Sequence, residues 1–241
     1  MKLLAIESAT LTASVAILDD DVVIAEYSVT FKKTHSQTLL PMIDEIVSML
    51  EIDLNSIDAI AISGGPGSFT GLRIGSATAK GLGLALNKPI ISVPTLEGLA
   101  CNFYGTDALI CPMMDARRKQ VYTGIYHLAG GTEFTELVAQ EAGPVEDIIK
   151  KCNEFGQKLG KQVVFLGDGV PVYRDIIEEF CTVEHFYAPA HLSRQRAGAV
   201  AIRAVTLYEE GKAEPASEHA PIYLRKSQAE RELEAKGKKL E

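Results

Sequence analysis

The sequence has no tryptophan and only four cysteines, Cys101, Cys111, Cys152 and Cys181, none of them in a C-x-x-C pair. That spacing writes neither a zinc knuckle nor a dithiol redox motif, so reduced and mostly buried thiols are expected. Long apolar runs are absent too, since nothing approaches the roughly 20 residues of a membrane span. The opening MKLLAIESAT lacks the extended apolar stretch and cleavage site of a secretion signal. A cytoplasmic protein without membrane attachment is expected. Positive charge is scarce, with 24 Lys and Arg against 32 Asp and Glu and a formal net charge of -8. Gripping nucleic acid unaided takes a clustered basic face. The only basic cluster near an end is KGKK at 236 to 239, within a mixed-charge tail that reads as a solvated terminus.

Catalytic motifs are missing in the same way. The stretch SGGPGSFTGLRIG at 63 to 75 has the strand, glycine turn and helix start of a nucleotide loop, because DAIAIS before it is a short buried strand and Thr70 suits a helix cap. A phosphate-cradling loop needs Lys and then Ser or Thr after its last glycine, whereas Gly71 is followed by Leu72 and Arg73. The dinucleotide fingerprint fails on spacing, since the third glycine of Gly65, Gly67 and Gly71 comes four residues after the second. Ser63 and Ser68 lie beside glycines, but there is no G-x-S-x-G elbow and no base to assign to them. The histidines His35, His127, His185, His191 and His219 include no pair four apart, and each reads as a surface or capping residue.

What is present is a core and a repeated plan. At 241 residues and 46% hydrophobic content the chain can bury one large domain or two small ones. Periodicity predicts strands near 2–7, 13–18 and 22–29, a helix near 36–50, a strand near 58–62, a helix near 70–86, a strand near 90–93 and a helix from about 95. The same order returns with strands near 108–114, 120–128 and 133–139, a helix near 145–158, the strand VVFLG, a helix near 172–180, a strand near 183–187 and a helix near 194–209. This predicts an α/β protein of two similar subdomains, 1–104 and 105–225, with 190–225 free to pack back on the first, followed by a charged tail at 226–241. Each opening strand ends in an acid, Glu7 in LLAIE and Asp115 in LICPMMD. Sites of open α/β sheets lie at the carboxyl ends of strands, so Glu7, Ser8, Thr10 and Asp115 are the candidates for lining a shared nucleotide cleft. The simpler alternative is a pair of hairpin turns closed by local side-chain hydrogen bonds. That alternative is favoured, because no Lys or Arg accompanies the acids at a defined spacing.

Two helices carry the remaining signal. Gly71, Gly75, Ala79 and Gly83 step by four along one stripe of the second helix, at a cost of about 1 kcal/mol per interior glycine that close packing has to offset. Burial against the protein's own sheet accounts for the stripe. The opposite side then holds Arg73, Ser76, Ala77 and Lys80, a low-profile surface. The first helix has more apolar residues than one buried stripe uses, and Pro41 would fit its first turn if the helix begins late. Thr38, Leu39 and Met42 are then expected to form an exposed apolar patch beside the second helix, the mark of a protein interface.

Two ribonuclease H-like units, each opened by a hairpin and an acid, resemble the plan of the actin-like ATPase (ASKHA) superfamily. LLAIESATLTASVAI, HSQTLLPMI, SGGPGSFTGLRIGSATAKGLG, VPTLEGLA, MMDARRKQVY and PIYLR, in this order over residues 3 to about 225, are similar to the TsaB (YeaZ) family of glycoprotease-like proteins. The resemblance implies a non-catalytic platform subunit in the making of N6-threonylcarbamoyladenosine in tRNA. Such a subunit would pair with TsaD and with TsaE, form a homodimer through the same helical face when TsaD is absent, and meet tRNA through the complex rather than alone. It also implies no cofactor of the chain's own, with ATP or ADP and a metal ion in the partner subunits. TsaD-type paralogues hold their metal with an H-x-x-x-H pair, and the matching positions here are Thr95 and Leu99, which cannot replace two imidazoles. The alternative is an independent nucleotide-dependent enzyme of the small-kinase type.

Overall fold

The computed structural model describes residues 1–129 and 134–225; the tail at 226–241, with its KGKK cluster, lies outside the described residues. The first half runs β1 (Lys2–Glu7), β2 (Thr12–Asp19), β3 (Val22–Thr30), α1 (His35–Met49), β4 (Ala59–Gly65), α2 (Phe69–Leu86), β5 (Ile90–Pro94) and α3 (Thr95–Ala100). The second runs β6 (Leu109–Asp115), β7 (Gln120–His127), β8 (Thr135–Pro144), α4 (Val145–Leu159), β9 (Val163–Leu166), α5 (Val170–Phe180), β10 (His185–Tyr187) and α6 (Ala197–Glu209), with a short β11 (Ala213–Glu214) after it. The sheets are ordered β11-β5-β4-β1-β2-β3 and β10-β9-β6-β7-β8. Apart from β11 the two orders are the same, and so are the directions. In each half the first three strands form an antiparallel meander, and the fourth and fifth join the first in parallel. This is the duplicated ribonuclease H-like fold that the element order predicts.

Buried on both faces, β1 and β4 read as nearly unbroken apolar runs, LLAI and AIAI. Leu4, Ile6, Ile60 and Ile62 pack toward α1 and α2. Leu3, Ala5, Ala59 and Ala61 point the other way, onto α6 through Ala197, Ala201 and Ala204. Small residues on both surfaces let that helix lie close to the sheet. The halves thereby exchange their last helices: α6 of the second packs on the first sheet, while Leu96 and Leu99 of α3 pack against Ile110, Tyr126 and Val164 of the second. The N-terminus of α6 is capped from the other half. Ala197 N donates to Ser14 Oγ at 3.0 Å and Gly198 N to Glu26 Oε1 at 2.9 Å, which places a carboxylate at the positive end of the helix. Where the two helices meet, Arg203 Nε donates to Glu97 Oε2 at 2.6 Å in a buried ion pair.

Several local expectations change. Helix α1 starts at His35, so Pro41 lies inside it and the i−4 carbonyl of Gln37 loses its helical donor. The register that follows buries His35, Leu39, Met42, Ile43 and Ile46. The apolar patch expected from Leu39 and Met42 is therefore overturned, because those side chains are only 1% and 4% exposed and belong to the core. Leu40 and Met49 of the same helix are the exposed ones. The cap of α2 is Ser68, whose hydroxyl accepts from Gly71 N at 3.3 Å, and Thr70 stands within the helix.

The glycine stripe meets this chain's own backbone. A Cβ on Gly71 would collide with the carbonyl oxygen of Ser8, and one on Gly83 would stand 2.7 Å from the Ala216 Cβ. Gly81, one step round the same helix, has nothing within 4 Å. Gly81→Ala should therefore raise stability by about 1 kcal/mol through helix propensity. Gly71→Ala should lower it by about 2 kcal/mol or more, since backbone must move. Urea denaturation of the two variants checks the pair; equal shifts in either direction would contradict the packing described.

Candidate functional site

A cavity of about 610 Å³ opens between the halves. It is lined by the β1–β2 turn at Ala9, Thr10 and Leu11, by the start of α2, by the β6–β7 turn at Asp115 to Arg117, by Asp168 after β9, and by Ile222 to Arg225. The turns arise alike. Glu7 Oε1 accepts from Ala9 N at 2.6 Å, and Asp115 Oδ1 accepts from Arg117 N at 2.8 Å, each bond closing a turn two residues on. Both acids thus serve the hairpins, the simpler of the two expectations.

The four cleft candidates separate. Thr10 lines the cavity, and its hydroxyl donates to Gln195 Oε1 at 3.2 Å. Asp115 lines it as well and also accepts from Tyr173 Oη at 2.8 Å. Glu7 and Ser8 do not line it, which corrects the expectation for both. Glu7 is fully buried and takes the Ser63 hydroxyl as a second donor, and Ser8 Oγ donates to Gly71 O at 3.0 Å. Burial pushes the Glu7 carboxyl up to about 7, against the opposing pull of Ser63 and the backbone amides. Asp168 is raised by burial too, and its Oδ1 accepts from Asp115 N at 3.3 Å. It was missed in the sequence, although GDG directly after VVFL marks the turn that matches Ser63-Gly64-Gly65 in the first half.

Basic groups were missed as well. Lys33, Arg117 and Arg225 all line the cavity. Cations do accompany the acids: Arg117 stands two residues after Asp115, a spacing legible in MMDARRK, while Lys33 and Arg225 come from distant segments that no sequence spacing reveals. The histidine expectation also changes. His35 and His219 are buried, with His35 Nε2 donating to Thr10 O at 2.7 Å and His219 Nδ1 paired with Glu214 Oε1 at 2.7 Å.

Three amides of the glycine loop and helix start are spent on the protein itself. Ser68 N donates to Ala9 O at 2.7 Å, Gly65 N to Thr95 Oγ1 at 3.1 Å and Gly71 N to Ser68 Oγ. Gly65, at φ +122°, lets the end of the described chain pass directly over the loop: a Cβ there would strike the Ile222 carbonyl oxygen, and Ile222 N donates to Gly64 O at 2.7 Å. This same segment covers part of the α2 surface expected to face a partner. Lys80 Nζ donates to Ser217 O and His219 O, at 3.0 and 2.9 Å. Arg73 lies 3.9 Å over the Phe69 ring and donates to Tyr223 Oη at 3.4 Å. Ser76 is buried, so it and Lys80 are corrected as outward-facing residues. Arg73 and Ala77 remain exposed, joined by Gly81, Leu84 and Ala85 along the helix, with Thr38 of α1 half-buried.

The positions that match a metal-holding pair do structural work. Thr95 is fully buried at the start of α3 and pins the glycine loop, and Leu99 lies in the core against the second sheet. A hydroxyl and an alkyl group do not fit a transition metal. Among the described residues no group of three His, Cys, Asp or Glu is placed to hold one, and no helix is long and apolar enough to cross a membrane.

The profile of the family described as tRNA N6-adenosine threonylcarbamoyltransferase, TsaD, matches residues 26–233. The tRNA threonylcarbamoyladenosine biosynthesis protein TsaB of Bacillus subtilis (strain 168) is 34% identical over 230 residues, covering 95% of this chain and 96% of that protein. Its namesake in Escherichia coli (strain K12) is 32% identical over 247 residues, covering 98% of this chain and all of that one. Among solved structures, YeaZ from Pseudomonas aeruginosa superposes with a TM-score of 0.78 at 28% identity, over 92% of this chain and 99% of that one.

Glu7, buried behind the β1–β2 turn, gives the fold a measurable pH response. An unfolded carboxyl titrates near 4.5 and the buried one near 7, so its contribution to stability is complete below pH 4.5 and is lost as pH rises through 7. Glu7→Gln cannot titrate. At about 1.4 kcal/mol per pH unit, the wild type should lose about 3 kcal/mol relative to the variant across that window. Parallel urea stability curves for the two proteins from pH 4.5 to 8 would rule the account out.

Proposed function

This chain belongs to the TsaD-type tRNA N6-adenosine threonylcarbamoyltransferase family and, within it, to the TsaB proteins of tRNA threonylcarbamoyladenosine biosynthesis; on that premise we propose that it is the platform subunit of the modification rather than its catalyst. One observation carries the reading: the two positions where a TsaD-type protein would hold its metal are a buried threonine spent on the glycine loop and a buried leucine spent on the core. The catalytic partner is a TsaD-type paralogue that brings the metal and the ATP or ADP, with TsaE joining the assembly. Transfer RNA is met within that assembly.

The docking surface is the exposed face of α1 and α2. Leu40 and Leu84 are more than half exposed there, beside the low relief of Ala77, Gly81 and Ala85. Exposed apolar side chains flanking small residues favour a packed helical interface over a solvated surface. The partner shares the ancestral fold, so its own matching helices fit this face. Two copies of this chain can use it in the partner's absence.

A second reading has one observation in its favour, the cavity with Lys33 and Arg117 at its margin, which suits an independent nucleotide-dependent enzyme. Calorimetry with ATP and magnesium separates the two. Tight one-site binding with turnover by the isolated chain supports the enzyme, and no heat supports the platform.

Ala77→Arg should abolish co-purification with the TsaD-type partner and reduce threonylcarbamoyl transfer in a reconstituted system to the level seen without this chain. Its thermal stability should stay within about 0.5 kcal/mol of wild type, because the site is an exposed surface. Ser76→Arg is unsuitable for the purpose, since it would bury a charge. Retained partner binding by Ala77→Arg would move the interface elsewhere.

A further inference from the structure

The cavity mouth carries an electrostatic feature that the platform role leaves unused. The chain is acidic overall, with a net charge of -8. Most basic side chains away from the mouth are matched to carboxylates, as in Lys2 with Asp19, Lys151 with Glu141, Lys161 with Asp107, Arg196 with Glu26 and Lys212 with Glu210. At the mouth the pattern reverses. Lys33 and Arg117 line the cavity along with Asp115 and Asp168, and their chain neighbours Lys32, Arg118 and Lys119 flank them; all five cations are exposed. Among the described residues none of these five has a carboxylate within ion-pair distance. Arg225 joins them from the C-terminal segment, its Nη1 donating to Ala116 O at 2.9 Å. Segments from both halves and from the chain's end thus bring unpaired cations to one opening.

The β6–β7 turn is held there at a cost. Arg117, Arg118 and Lys119 are consecutive non-glycine residues with positive φ, at +63°, +57° and +57°. Each such residue costs roughly 1 kcal/mol. Asparagine or glycine would relieve that strain without altering the turn, so stability alone gives no reason for three long cations. The bonds from Arg117 N to Asp115 and from Arg225 to Ala116 fix the turn in place. Beside it Tyr122, Phe69 and Tyr223 line the cavity, with Phe69 and Tyr223 packed on each other at 4.8 Å between ring centroids and Arg73 over Phe69. A cluster of unpaired cations at one opening forms a surface suited to the phosphates of an RNA strand.

We propose that this rim, Lys33, Arg117, Arg118 and Arg225 with Lys32 and Lys119 beside them, contacts the phosphate backbone of the tRNA, so that the platform takes part in holding the substrate. The proposal rests on the reading of the chain as a subunit of tRNA modification. The rim supplies no reacting group. Its effect is on affinity and its salt dependence, because each neutralised phosphate releases condensed counterions.

The test uses the complex of this chain with its TsaD-type partner and an unmodified tRNA transcript, with affinity read by fluorescence anisotropy between about 50 and 300 mM salt. The triple variant Lys33→Glu, Arg117→Glu, Arg118→Glu should weaken tRNA binding at least tenfold at low salt. It should also flatten the slope of log affinity against log salt by about 2, at roughly 0.7 per single-strand phosphate. Partner co-purification should be retained, which separates this outcome from a failure of the platform reading. If the triple variant does not assemble, Arg118→Ala and Lys33→Ala are measured singly, each expected to flatten the slope by about 0.7. Unchanged affinity and slope would overturn the proposal. So would a loss confined to free ADP, run as a parallel probe, because the rim would then serve a mononucleotide and not the RNA.

Discussion

Ser8 and Ala9 occupy the space that side chains at positions 67, 71 and 75 would fill, and most of the molecule's character follows from that contact. Added Cβ atoms at Gly67 and Gly71 would strike the carbonyl oxygens of Ala9 and Ser8, and one at Gly75 would strike the Ser8 hydroxyl. The glycine loop and the start of α2 are therefore pressed against the β1–β2 turn. In that position the loop gives three of its amides, Ser68 N, Gly65 N and Gly71 N, to Ala9, Thr95 and Ser68. Buried by the same contact, α2 turns the face of Ala77, Gly81 and Leu84 outward. One steric constraint thus sets both the seat of the glycine loop and the face that α2 leaves open.

The duplication explains where the remaining polar groups went. Each half ends its first strand in an acid, and each acid closes its hairpin through an amide two residues on. The halves have diverged in what stands behind that turn. Glu7 is sealed with Ser63 in the core, while Asp115 stays at the cavity with Asp168 and Tyr173. The exchange of α3 and α6 then ties the two sheets together. Apolar contacts run across both crossings, Ser14 and Glu26 cap the incoming helix, and the Glu97–Arg203 pair is buried where the helices meet. Removing either member of such a pair typically costs 3–5 kcal/mol, so the junction resists separation of the halves.

The sequence patterns that proved legible are those with a short repeat. Alternating and fully apolar strand runs located every strand except the two-residue β11, and the steps of four in α2 correctly indicated close packing on the protein's own scaffold. Surface assignments depend on contacts from distant segments. A surplus of apolar residues in α1 puts Leu39 and Met42 outside, yet a start at His35 rotates both into the core and leaves Leu40 and Met49 exposed. Lys80 looked outward on the helical wheel, but carbonyls from residues 217 and 219 claim its ammonium. No local pattern encodes a segment that returns from more than a hundred residues away.

By itself the sequence determined the order of elements, the doubled α/β plan, and the absence of an imidazole pair at Thr95 and Leu99. These depend on residue identity and on periods of two and about four, which the chain carries locally. Only the tertiary structure decided which acids reach the cavity, which face of α2 stays open, and that scattered cations in an acidic chain meet at one mouth. Such properties are sums over groups brought together by folding, and charge counted along a chain carries no information about distance in space.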